Sequence, residues 1–101
     1  MEFEARRNPE ALEVRITGRW EFTDHDRMRD IVVLFGQPGL RRVVLDLADL
    51  SFIDSAGLGM LLILQEEAEQ TKIALTVRGP REEVRRSLEL ARLGEIITIE
   101  Y

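Results

Sequence analysis

Asp46-Leu47-Ala48-Asp49-Leu50-Ser51-Phe52-Ile53-Asp54-Ser55-Ala56-Gly57-Leu58-Gly59 is the junction from which the rest of the chain is read. On its N-terminal side, Val43-Val44-Leu45 and Leu47 form a β-branched apolar run with little alternation. That is the pattern of a central strand covered on both faces. On its C-terminal side, Met60-Leu61-Leu62-Ile63-Leu64 is apolar all round and belongs to a helix that begins near Ser55 and continues to about Gln70. A strand that passes through a short loop into an apolar helix is half of a parallel crossover. Ligands and partners are met at the carboxyl ends of strands in open α/β sheets, so the segment Asp54 to Gly59 is where function is expected.

Outward from this junction two periods recur. Leu12, Val14 and Ile16 alternate with Glu13, Arg15 and Thr17, the period of a half-buried strand. Asn8-Pro9-Glu10 is a turn, which pairs Phe3 to Arg7 with that strand as a hairpin. Thr23 is placed to cap a helix, with Asp24 and Asp26 in its first turn. Met28, Ile31, Val32 and Phe35 follow at the spacing of one buried helix face, and Gly36, Pro38 and Gly39 end it. Lys72 to Val77 alternates again as a strand. Gly79-Pro80 opens a third helix with a Val84, Leu88, Ala91 stripe, Gly94 closes it, and Ile96 to Ile99 is a last short strand. The order β-β-α-β-α-β-α-β predicts one α/β domain over residues 1–101. Its mixed central sheet of about five strands would be parallel at the centre and packed with three main helices.

Composition removes several function classes. The chain has 101 residues, room for a single core, and a net charge of −5 with its arginines scattered, which argues against nucleic acid as a partner. Cysteine is absent, which fits a reducing, cytoplasmic setting and excludes thiolate ligands and a cysteine nucleophile. His25 is the sole histidine, so a metal site would need carboxylates almost alone, and a serine hydrolase would have one candidate base and no Gly-x-Ser-x-Gly elbow. Gly57-Leu58-Gly59 lacks the third glycine of a dinucleotide fingerprint, and no Gly-Lys-Ser/Thr marks a P-loop. Asp46, Asp49 and Asp54 surround a serine without the acidic pair that a receiver-type magnesium site requires. No signal peptide is expected at the start, and no apolar run approaches the ~20 residues of a membrane span. These readings predict a protein that is not an enzyme, with no cofactor, no metal and no direct membrane insertion.

Ser55 is placed to cap the second helix through its Oγ, and Asp54 to orient it. A phosphate added at Ser55 would face the free N–H groups and positive end of that helix. Gly57 and Gly59 each cost roughly 0.8–1 kcal/mol in a helix relative to alanine. Their presence predicts that another surface approaches the backbone closely. Leu61, Leu64 and Ala68 share one arc of the helix, while Leu62 and Ile63 fall on the side of Glu66, Glu69 and Gln70. Either both sides are buried, or some of these residues are exposed for a partner.

The whole chain, and most sharply Asp54-Ser55-Ala56-Gly57-Leu58-Gly59 behind the Val43-Val44-Leu45-Asp46-Leu47 strand, resembles the STAS domain family, in particular the single-domain bacterial anti-sigma factor antagonists. The resemblance implies that Ser55 is phosphorylated by a partner serine protein kinase, often the anti-sigma factor itself, and dephosphorylated by a serine phosphatase. It further implies a partner surface made of Trp20, Glu21, Asp54, Ser55, Ala56, Gly57, Leu58, Gly59 and Leu62. Ala56 stands where the family often carries a second hydroxyl residue, leaving Ser55 as the one acceptor in the motif. Trp20-Glu21-Phe22 replaces the family's leucine-acid pair after Gly18, and Trp20 is open to two readings, core residue or partner anchor. STAS domains also serve as accessory parts of transporters and signalling complexes, in which Ser55 would be mainly a cap.

Overall fold

A computed structural model describes residues 1–101. Strands β1 (Glu2–Arg7) and β2 (Ala11–Trp20) form the expected N-terminal hairpin, joined through the turn at Asn8. Helix α1 (His25–Leu34) follows a 3-10 turn over Phe22–Asp24. Next come β3 (Arg42–Asp46), β4 (Leu50–Ile53), α2 (Ser55–Gln70), β5 (Ala74–Arg78), α3 (Glu82–Leu90), a second 3-10 turn and β6 (Thr98–Glu100). The sheet runs β1-β2-β3-β5-β6, antiparallel at the hairpin and parallel from β2 onward, as crossovers through α1, α2 and α3 require.

One strand has no signature in the sequence. Leu50-Ser51-Phe52-Ile53, expected as loop, is β4, and it pairs in parallel with the far half of β2. The cause lies in β2. Ten residues long, it pairs with β3 along its first half, then shifts register between Gly18 and Arg19 and pairs with β4 through Trp20. Gly18 has φ +85°, which a side chain would strain, and Ser51 Oγ donates to its carbonyl at 2.9 Å. The bend carries Trp20 beneath the start of α2.

The core is one cluster. Leu12, Val14 and Ile16 of β2, Val43 and Leu45 of β3, and Leu75 and Val77 of β5 point to one face, where Met28, Ile31, Met60, Leu61, Leu64, Val84 and Leu88 of the helices meet them. Coverage of β3 on both faces is therefore corrected: Val44 and Asp46 are only half-buried. Their face carries Glu13, Arg15, Thr76 and Arg78 in register and is held by surface ion pairs, Arg6–Glu13 at 3.5 Å and Arg78–Glu13 at 3.8 Å among them. Thr23 does not cap α1 but lies inside the 3-10 turn. Asp24 takes the organising role, accepting the Glu21 N–H at 2.7 Å and facing the Met1 α-ammonium at 2.6 Å.

Candidate functional site

Helix α2 starts where β2 and β4 end side by side, and Asp54 fastens the three together. Its backbone is extended, with φ −93° and ψ −179°, so its carboxylate turns over the first turn of the helix and Oδ1 accepts the Gly57 N–H at 2.8 Å. Oδ2 accepts the Phe22 N–H at 3.2 Å, which ties the turn after β2 to the helix. The Asp54 N–H donates to Trp20 O at 3.1 Å, and its carbonyl accepts the Leu58 N–H at 3.0 Å. Asp54, not Ser55, is thus the N-cap. Ser55 already has helical geometry, so its Oγ is released from capping and exposed.

An α-helix leaves its first four N–H groups without partners inside the helix. Asp54 satisfies Gly57 here, and the N–H groups of Ser55 and Ala56, next to the Ser55 hydroxyl in the chain, have no hydrogen-bond acceptor within the protein. Along α2, Ser55, Gly59, Leu62, Ile63 and Glu66 follow at i, i+4, i+7, i+8 and i+11, so they form one ridge. Leu62 is 37% and Ile63 41% exposed, large apolar groups left open on the side away from the core. The two glycines divide. A Cβ on Gly57 would stand 2.7 Å from both Trp20 O and Ile53 Cγ1, whereas one on Gly59 would meet nothing within 4 Å. Close approach at Gly57 is therefore made by the chain's own β2 and β4, and only Gly59 leaves free space, a notch between Ser55 and the Leu62/Ile63 pair.

A family model described as the STAS domain matches residues 2–101. The chain belongs to the STAS domain family. A STAS-domain containing protein of Pseudomonas aeruginosa is 34% identical over 90 residues, covering 87% of this chain and 86% of that one. Among solved structures, the anti-sigma factor antagonist SpoIIAA in its unphosphorylated form superposes with a TM-score of 0.81 at 20% identity, covering 99% of this chain and 89% of that one. The phosphorylated form of SpoIIAA, from Bacillus, gives 0.72 at 20% identity, covering 99% and 92%. A murine anion transporter, Slc26a9, gives 0.77 at 15% identity, covering 90% of this chain and 15% of the transporter chain.

Of the surface expected in this STAS domain, the structure gathers Glu21, Asp54, Ser55, Ala56, Leu58, Gly59 and Leu62 around the start of α2, at differing exposure. Ser55 and Leu62 are exposed, while Glu21, Asp54, Ala56, Leu58 and Gly59 are half-buried, Ala56 and Leu58 leaning on the core. Two members are corrected. Trp20 is fully buried, its indole Nε1–H donating to Met60 Sδ at 3.2 Å, so it is core and not an anchor. Gly57 is buried by the packing that makes it glycine. Phe22, outside the expected set, is 69% exposed and adjoins the site through its hydrogen bond to Asp54. Strand alternation gave no signal for it, since a period of two would put Phe22 on the same inward face as Trp20; the end of β2 at Trp20 is what frees it to turn outward.

The remaining candidate chemistry is spent on structure. Asp46 Oδ1 accepts the Ala48 N–H at 2.9 Å, and Asp49 pairs with Arg15, so neither converges on Asp54. His25 directs Nδ1 to Phe22 O at 2.7 Å and stacks edge-on against the Phe22 ring. No helix is long and apolar enough to cross a membrane.

Proposed function

We propose that this STAS domain is an anti-sigma factor antagonist, a non-catalytic binding module switched by phosphorylation of Ser55. The observation that carries this reading is the division of labour between Asp54 and Ser55. Because the aspartate caps the helix, the serine hydroxyl is exposed at a helix start with two N–H donors beside it. Such a hydroxyl is open to a protein kinase, and its phosphate is tolerated locally by the donors and the helix dipole. The likeness to SpoIIAA, whose structure is known with and without phosphate, supports the same reading.

Unphosphorylated, the ridge Ser55–Gly59–Leu62–Ile63 and the neighbouring Phe22 would dock on an anti-sigma factor that is also a serine kinase, releasing the bound sigma factor. Phosphorylation adds about −1.5 to −2 charges at neutral pH in the centre of that apolar surface, next to the Asp54 carboxylate. The free protein keeps the phosphate solvated, whereas docking would strip its water. A penalty of about 3 kcal/mol weakens binding more than a hundredfold. A serine phosphatase then resets the module.

The test is the affinity of Ser55→Ala and Ser55→Glu for the anti-sigma kinase, with mass spectrometry of Ser55 in protein isolated from cells. Tight binding by Ser55→Ala, binding at least a hundredfold weaker by Ser55→Glu, and phosphate on Ser55 are expected. Equal binding by both variants with an unmodified serine would instead favour a permanently docked accessory subunit with Ser55 as a fixed helix residue.

A further inference from the structure

The outer edge of the sheet suggests a second interaction, separate from the Ser55 surface. Strand β1 is terminal in the sheet: β2 lies on one side and no element pairs with the other. It is six residues long, Glu2-Phe3-Glu4-Ala5-Arg6-Arg7, and all but Phe3 are exposed. It has neither proline nor a bulge, two devices that commonly blunt an edge, although it carries a third, charge, at Glu2, Glu4, Arg6 and Arg7. Beside this edge, Glu4, Ala5 and Arg6 of β1 and their neighbours Glu13 and Arg15 of β2 line a shallow depression of about 420 Å³ on the polar face of the hairpin.

Charge along β1 is polar in the sense that matters for self-pairing. Acids occupy its N-terminal half and arginines its C-terminal half. Two parallel copies would set acid against acid and arginine against arginine. Two antiparallel copies related by a two-fold axis through Ala5 set Glu4 against the partner copy's arginine at position 6, and Arg6 against its glutamate at position 4, with the two Ala5 residues face to face. Like charges used to forbid edge pairing would repel in every register. This pattern repels in one direction and matches in the other. Opposite charges across an antiparallel pair stabilise it, and like charges oppose it. A two-fold pairing is also closed, because the same edge is used on both copies and no further chain can add.

We infer that β1 is an interface for a second copy of this chain, joining two sheets edge to edge in an antiparallel pair centred on Ala5. Only one short strand from each copy takes part, so the dimer is weak and concentration-dependent, with a dissociation constant between about 1 μM and 1 mM. Its role is to couple two Ser55 surfaces in one particle while leaving the α2 ridge outside the contact.

Complementary charge reversal tests this directly. Arg6→Glu places acid opposite acid at both symmetry-related pairs, and Glu4→Arg places base opposite base. Sedimentation at increasing concentration should show wild-type dimers and each variant alone associating at least roughly tenfold more weakly. An equimolar mixture of the two variants restores both matched pairs and should recover heterodimers, a result that loss of fold in either variant cannot produce. Register is read separately from Ala5→Cys in this cysteine-free chain. The thiols face each other within disulfide reach in the proposed pairing and should oxidise to a dimer far faster than an Asp30→Cys control on α1. A wild-type chain that stays monomeric at millimolar concentration, a mixture that fails to associate, or an Ala5→Cys cross-link no faster than the control would each overturn the proposal.

Discussion

Gly57 and Gly59 are the same residue type two positions apart, in the same turn of helix, with opposite reasons for being there. Alanine at 57 must displace the Trp20 carbonyl, which holds the Asp54 N–H, or the Ile53 side chain, both 2.7 Å from the new carbon. Overpacking of this kind costs about 1–3 kcal/mol and outweighs the gain of up to ~1 kcal/mol in helix propensity. Alanine at 59 enters open space and keeps that gain. Thermal melts should therefore split: Gly57→Ala lowers the midpoint, and Gly59→Ala raises it by roughly 4–8 °C. A shift in the same direction for both would contradict this division. If the notch at Gly59 is part of the docking ridge, Gly59→Ala should also weaken partner binding while stabilising the fold, a combination a purely structural glycine would not give.

At the scale of elements, Asp54 joins three of them. One carboxylate caps α2, holds the turn after β2 and, through its backbone, follows on from β4. Asp54→Ala removes the cap and the clamp together. A cap alone is worth about 1–2 kcal/mol in a folded protein, so a stability loss at the upper end of that range is expected in denaturant titration. Amide exchange should quicken at Phe22 and Gly57, whose N–H groups lose their acceptors, before it quickens at Leu61 or Leu64 deeper in the helix. Asp54→Asn keeps an acceptor oxygen and should restore much of the cap. Helix α2 and its Asp-Ser start were legible in the sequence because an apolar run behind a capping residue is a local signal. Which of the two residues caps was not legible, since either side chain can reach a free N–H. The extended backbone at Asp54, imposed by its bond to Trp20 O, decided it.

Over the whole molecule, the sheet has one dry face and one charged face, and acid acts on the polar contacts around its ends. Burial of the Asp24 carboxylate works to raise its pKa, but the hydrogen bond from the Met1 ammonium, the Glu21 N–H and the charges of the ammonium and Arg27 together bring it below the ordinary value of 3.8. A carboxylate whose pKa is lower folded than unfolded contributes stability that is present in full above the unfolded value. That contribution drains away as pH falls from about 4 through the folded pKa. Melting temperature should fall over this window, and Asp24→Asn should flatten the fall while lowering stability at neutral pH. An unchanged acid profile in Asp24→Asn would mean that other carboxylates carry the acid sensitivity.

From the sequence alone came the hairpin, the three helices, the parallel centre and the place of a serine at the start of an apolar helix. Each rests on spacing of neighbours along the chain, such as Leu12-Val14-Ile16 for a strand or Met28-Ile31-Val32-Phe35 for a helix face. Tertiary structure decided what depended on distant residues. Leu50 to Ile53 became a strand because the shifted end of β2 offered it a partner. Trp20 became core, and Phe22 surface, because that strand ends beneath α2. Gly57 was reserved for Trp20 O, and Ser55 was freed by Asp54. Local periodicity records which face of an element is apolar, but which element lies against that face, and which polar group is left without an internal partner, is set only when the chain has closed on itself.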